Sequence, residues 1–171
     1  MNEYSNYWKA LTFAFKKYGN LKRKSEEIPY VVHPIRITAI LRAAGFSEFE
    51  DEDIMIAALF HDLIEDTETS LEDIENYYGK KVASIVNELS KPEHADKDEW
   101  LKSFKTASNE AKIVKMVDRI DNLMDINIGY WSTERKKSYA KQGRIILETC
   151  EHVNEDIALE LKRVIQNILS D

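Results

Sequence analysis

The chain has 171 residues, 43% of them hydrophobic and 32% charged, the balance of one soluble globular domain with length enough for a sizeable core. Its net charge of −7 argues against a broad nucleic-acid interface, which needs a basic face, but leaves room for a small anionic substrate held by a metal ion and a few local cations. No apolar run approaches the roughly 20 residues of a membrane span, MNEYSNYWKA lacks the regions of a secretory signal, and the lone Cys150 excludes an internal disulfide and suits a reducing cytoplasm.

Helical periodicity dominates, and only five glycines and three prolines punctuate it. Tyr4 to Tyr18 reads as a first helix, closed by Gly19 and Asn20. A charged loop from Leu21 to Tyr30 contains LKRK and Pro29. His33 to Ala44 reads as a helix with Pro34 in its first turn and Gly45 past its end. Asp51 to about Asp66 is the third helix. Ser70 and Asp73 resemble a capping box opening a short helix that stops at Gly79, with Lys80 to Leu89 following. Ser90 to Asp98 is linker-like. Helices are then expected near 99–107, 110–128, from Ser132 to about His152, and near 155–169. Strict apolar alternation is scarce and no repeat appears. The expectation is therefore an all-α, compact multi-helix bundle forming one domain over residues 1–171.

FHDLIEDTE, at the end of the third helix, packs a histidine and four carboxylates into nine residues. Acids at a helix C-terminus oppose the macrodipole, so something must offset them. His61 follows Ala57 and Ala58 by four and three residues and faces the apolar side. Glu65 lies one turn past His61, and Asp66 one turn past Asp62. The bland reading of His61 alone is a core histidine beside a solvated acidic end. Taken as a set, imidazole and carboxylates suit a divalent ion.

Two further pieces bear on this. In AKIVKMVDRIDNLMDI an apolar stripe of Ile113, Val117, Ile120 and Met124 runs beside a polar row of Asp118, Asn122 and Asp125. Asp118 is in the apolar register, and a half-buried carboxylate wants a cation. In YVVHP, His33 stands where an N-cap or first-turn residue belongs, although histidine is a poor cap. His33, His61, Asp62 and Asp118 together offer two nitrogen and two oxygen ligands suited to Mn²⁺, Fe²⁺, Co²⁺ or Zn²⁺. With one cysteine, a closed thiolate zinc site is excluded. His94 and His152 read as surface residues, and Trp8, Phe13 and Phe15 as core or groove packing.

The order H…HD…D is the signature of HD-domain metal-dependent phosphohydrolases, which this chain resembles. HDLIEDT, RKSEEIPYVVHP and KIVKMVDRIDNL are similar to the HD-x-x-E-D-T, R-K…P-Y-x-x-H-P and K-x-x-K-x-A-D-[RK]-x-x-N-[LM] segments of the (p)ppGpp hydrolase domain of RelA/SpoT proteins. TSLEDIENYYGKKVASIV follows the same family's pattern. The resemblance runs from about Leu21 to the helix containing Tyr139, and the chain looks like a stand-alone small alarmone hydrolase.

That resemblance implies roles. His33, His61, Asp62 and Asp118 would bind one Mn²⁺. Glu65 and Asp66 would orient and activate the attacking water or assist leaving-group protonation. Arg23, Lys24 and Ser25 would meet the guanine base or phosphates. Asn122 would hydrogen-bond the nucleotide, and Arg135 and Tyr139 would close its pocket. The implied partner is a small nucleotide, with no nucleic acid and no membrane, in the cytoplasm. Three positions depart from the family: Glu27-Ile28 replaces a glycine before Pro-Tyr, Asp121 a His or Tyr, and Met124 an Arg. Asp121 and Met124 keep open an HD-domain phosphatase acting on NADPH or another nucleotide.

Overall fold

The computed structural model describes residues 6–23, 27–128 and 131–170, with the backbone alone over 126–128. Lys24 and Ser25 lie outside the described residues. The described chain is α-helical, with two 3-10 turns and no β structure beyond one bridge between Lys22 and Pro29. No described helix is long and apolar enough to cross a membrane. The fold divides into two compact units, one bounded by Met1–Lys22 and Ile28–Ser90, the other by Arg23–Glu27 and Lys91–Asp171.

The first unit contains α1 (Asn6–Tyr18), α2 (Val32–Ala43), α3 (Glu52–Phe60), α4 (Leu63–Asp66) and α5 (Leu71–Leu89). Every residue of α3 from Ile54 to Phe60 is buried, and α1, α2 and α5 pack around it. Each fully buried Ile, Leu, Met or Phe side chain there contributes about 1.5–3 kcal/mol of transfer free energy. α1 turns Tyr7, Ala10, Ala14 and Tyr18 inward. Trp8 and Phe15 therefore point away, and both are exposed rather than packed as expected. Phe13 does pack, against Phe60 and Tyr78. The Glu52 carboxylate accepts from the Asn6 backbone N–H at 2.7 Å, serving a donor that α1 itself leaves free.

The helix ends obey local chemistry. Gly45 takes φ +94°, so the Phe46 N–H reaches the Leu41 carbonyl and the Gly45 N–H that of Arg42, a Schellman closure of α2. The Ser70 hydroxyl accepts from the Asp73 N–H at 3.1 Å, and the Asp73 carboxylate accepts from the Ser70 N–H at 3.0 Å. This is the capping box read from the sequence, and the Ser70 interactions hold the Asp73 carboxyl below its ordinary value. α5 continues to Leu89, but Gly79 interrupts it with φ 87° and ψ 166°, so the expected break survives as a kink.

The second unit contains α6 (Lys97–Ser103), α7 (Asn109–Ile128), α8 (Thr133–Cys150) and α9 (Glu155–Ser170). α7, α8 and α9 pack on one another, and α6 on α8. α6 begins two residues earlier than expected, because Asp96 caps it by accepting from the N–H groups of Asp98 and Glu99. α7 is buried on all sides from Ala111 to Asp121, and its inward row continues through Leu123. Met124, placed in the apolar stripe by its spacing, is instead exposed, one residue round the helix from that row. Gly143 lets α8 approach its neighbours: a Cβ there would stand 3.1 Å from Ile165 and 3.4 Å from Leu123. His94 and His152 are exposed.

Candidate metal centre

In the first unit the expected helix from Asp51 to Asp66 is broken. α3 stops at Phe60, and Asp62 takes φ −109° and ψ 3°, outside helical values, before α4 begins. At the break two of the last α3 carbonyls are taken by side chains. His61 Nδ1 lies 2.9 Å from the Ala58 carbonyl, and the Tyr18 hydroxyl donates to that of Leu59 at 3.2 Å. The cost expected of an acidic helix end is thereby removed. Glu65 and Asp66 belong to a separate single turn, with too few aligned peptides to build a macrodipole against them. Both are exposed.

The break also orients His61. With Nδ1–H donated to a carbonyl, the neutral ring presents the Nε2 lone pair. That Nε2 lies 3.2 Å from Nε2 of His33 and 2.9 Å from Oδ2 of Asp62, and His33 Nε2 is 4.0 Å from the same oxygen. Both imidazoles are buried, and His33 stands in the first turn of α2, whose N-cap is Val31. Two nitrogens each about 2.1 Å from one ion, near a right angle, stand about 3 Å apart. The donor set and its spacing thus fit a divalent cation.

Tyr30 completes this half. Its hydroxyl donates a short hydrogen bond to Asp62 Oδ2, and its ring packs against Tyr18 and edge-on to His33. Burial, then the Asp62 carboxylate, push that hydroxyl far above the ordinary tyrosine range, so it stays a donor. The sequence signal was available: Tyr30 precedes His33 by three residues in PYVVHP.

In the second unit the polar row of α7 is a connected chain. Lys115 Nζ donates to Asp118 Oδ2 at 2.9 Å, and Asn122 Nδ2 donates to Asp118 Oδ1. Asn122 Oδ1 accepts from Arg23 at 3.0 Å. Both ends of the Asn122 amide are thus engaged, which fixes its orientation. Arg23 grips Asp125 Oδ2 through Nε at 2.9 Å and a terminal nitrogen at 2.6 Å, and lies 4.0 Å from Asp121. Asp118, Asp121 and Asp125 are all buried. Burial of Asp118 is deeper than the half-buried position its register suggests, and Lys115, buried over the Trp100 ring at 4.5 Å, supplies its cation. Spacing alone did not mark Lys115 or the grip of Asp125 on Arg23.

On α8, Tyr139 is half-buried and Arg135 exposed. Arg135 stacks on Trp131 at 3.8 Å, and the Trp131 ring meets Tyr139 edge-on at 5.4 Å. The second unit thus brings together Arg23, Asn122 and Asp118, as the first does His33, His61 and Asp62.

Comparison with known proteins agrees with this chemistry. The HD domain family matches residues 10–147. The guanosine-3′,5′-bis(diphosphate) 3′-pyrophosphohydrolase MESH1 of Drosophila melanogaster is 29% identical over 168 residues, covering 94% of this chain and 93% of its own. The Danio rerio protein of that name is 32% identical, covering 90% and 89%. A solved structure, described as a metazoan ortholog of SpoT that hydrolyses ppGpp, superposes with a TM-score of 0.87 at 28% identity, covering 98% of this chain and 97% of its own.

Proposed function

This chain belongs to the HD domain family, and on that premise we propose that it is a (p)ppGpp 3′-pyrophosphohydrolase, giving GDP or GTP and pyrophosphate. The observation that carries the reading is the trio of His33 Nε2, His61 Nε2 and Asp62 Oδ2, the last two at a helix break directly before Glu65 and Asp66 and the first in the opening turn of α2. The names of the relatives supply the substrate. The family match runs from residue 10 to 147, through parts of both units, which supports a single phosphohydrolase domain over 1–171.

In this proposal His33, His61, Asp62 and Asp118 would hold one Mn²⁺. A divalent ion there would supply Lewis acidity toward water and a phosphoryl oxygen. The protein's part is positional. Tyr30 fixes the Asp62 carboxylate, and the Ala58 carbonyl fixes the His61 tautomer. Lys115 and Asn122 hold the two oxygens of Asp118. Glu65 and Asp66 orient water and take its proton. The water oxygen joins the phosphorus attached to ribose O3′, that P–O3′ bond breaks, and O3′ departs with a proton.

Arg135 and Tyr139 border the nucleotide, with Lys24 and Ser25 serving its base or phosphates. Arg23 and Asn122, bound to each other and to α7 carboxylates, shape the same pocket and meet the nucleotide from that network. The reading extends to a cytoplasmic enzyme, in keeping with its single cysteine.

The test is product identification with Mn²⁺ on ppGpp, pppGpp, NADPH and nucleoside monophosphates. Pyrophosphate with GDP from ppGpp is expected. Phosphate from NADPH or monophosphates alone would refute the reading. Glu65→Gln should keep the metal and lose turnover.

A further inference from the structure

Arg119, on α7 beside Asp118, has no role in the chemistry above, yet it is among the largest fully buried side chains of the described protein. Its Nε has no hydrogen-bond partner among the described residues. Burying a guanidinium with a donor unmatched is costly, and an apolar side chain of similar length would fill the space without that cost. Packing alone therefore does not account for it.

Its contacts converge on one residue of α8. The guanidinium carbon lies 3.9 Å from the centroid of the Tyr139 ring. Nη1 donates to the Tyr139 backbone carbonyl at 3.4 Å, a long bond beside a close stack. Ring and backbone of the same residue are held at once. Lys97 approaches that ring at 5.1 Å, and the Trp131 ring lies edge-on. A half-buried aromatic clamped in this way keeps one orientation, so little rotamer freedom is lost when something stacks on it.

We propose that Arg119 is a positioning residue for nucleotide binding: it presets the Tyr139 ring without touching the substrate. The inference rests on the reading that Tyr139 borders the nucleotide, and the test separates the two.

The experiment is a double-mutant cycle of Arg119→Met and Tyr139→Leu, with Arg119→Lys as the conservative variant. It is read by KM and kcat for ppGpp and, independently of turnover, by ¹⁹F NMR of 3-fluorotyrosine at position 139. Arg119→Met should raise KM about tenfold with kcat changed less than about twofold. Arg119→Lys should recover part of the loss, because it keeps a cation over the ring. In the Tyr139→Leu background Arg119→Met should add nothing. Additive effects, or a fall in kcat without a rise in KM, overturn the proposal. If Tyr139→Leu leaves KM unchanged, the reading of Tyr139 as a pocket residue fails and the part of Arg119 in nucleotide binding fails with it, the ¹⁹F signal then reporting only whether Arg119 presets the ring. A shifted or newly broadened resonance in folded Arg119→Met supports positioning, and an unchanged one overturns it. Should Arg119→Met fail to fold, the same comparison is made with Arg119→Lys, where an unchanged resonance and unchanged KM overturn it.

Discussion

His33 and His61 face each other through their Nε2 atoms at 3.2 Å, while Nδ1 of His61 is committed to the Ala58 carbonyl. Two buried imidazoles this close serve a shared cation better than they serve each other. Replacing His61 by Gln should lower divalent-ion affinity by more than about a hundredfold, because a ligand and the order of its tautomer are lost together. Titration calorimetry with Mn²⁺ measures this. Unchanged affinity would remove His61 from the ligand set.

Tyr30→Phe deletes only the hydroxyl that holds Asp62. Hydrogen-bond partners of metal ligands are worth roughly 10–100-fold in affinity or activity, and that range is expected here. The ring contacts with Tyr18 and His33 should survive, so the far-UV circular dichroism should not change. Wild-type Mn²⁺ affinity and turnover together would show that Asp62 needs no such anchor.

The capping box gives a pH signature. The folded Asp73 carboxyl lies below its ordinary value of 3.8, chiefly through the Ser70 backbone N–H and then its hydroxyl. A depressed carboxyl stabilises above the unfolded pKa, and that contribution is lost as pH falls through the lower, folded value. Wild type should melt above Asp73→Asn at neutral pH, and the gap should close as pH drops below 3.8. A gap independent of pH would contradict the capping account.

Gly79 kinks α5 at φ 87° and ψ 166°, where a side chain is strained although nothing lies within 4 Å of an added Cβ. Gly79→Ala should therefore cost about 1–3 kcal/mol purely through backbone conformation. Chemical denaturation with an unchanged m-value would report it. A stabilised variant would mean that the helix runs straight.

Where residues announce themselves locally, sequence and structure agree. Ser70 with Asp73, Gly45 and Gly79 each act through bonds or dihedrals within a few residues, the first two marking helix ends where expected and Gly79 a kink where a helix end was expected. The break at His61 and Asp62 carries no glycine or proline. It depends on Tyr18 and the His61 ring claiming α3 carbonyls, a tertiary event invisible to periodicity. Met124 and Leu123 differ by one position round α7, less than spacing can resolve at the end of a stripe. Asp121, a departure from the family pattern, proves to be a buried neighbour of Arg23, a pairing that joins residues about a hundred positions apart.

The central claim is that a divalent ion on these ligands drives release of pyrophosphate. It is tested most directly by stripping the protein of metal and titrating Mn²⁺ while following pyrophosphate and GDP from ppGpp. The account predicts no turnover without metal and full recovery at one ion per chain. Turnover in the stripped protein, or recovery with orthophosphate as the product, would contradict it.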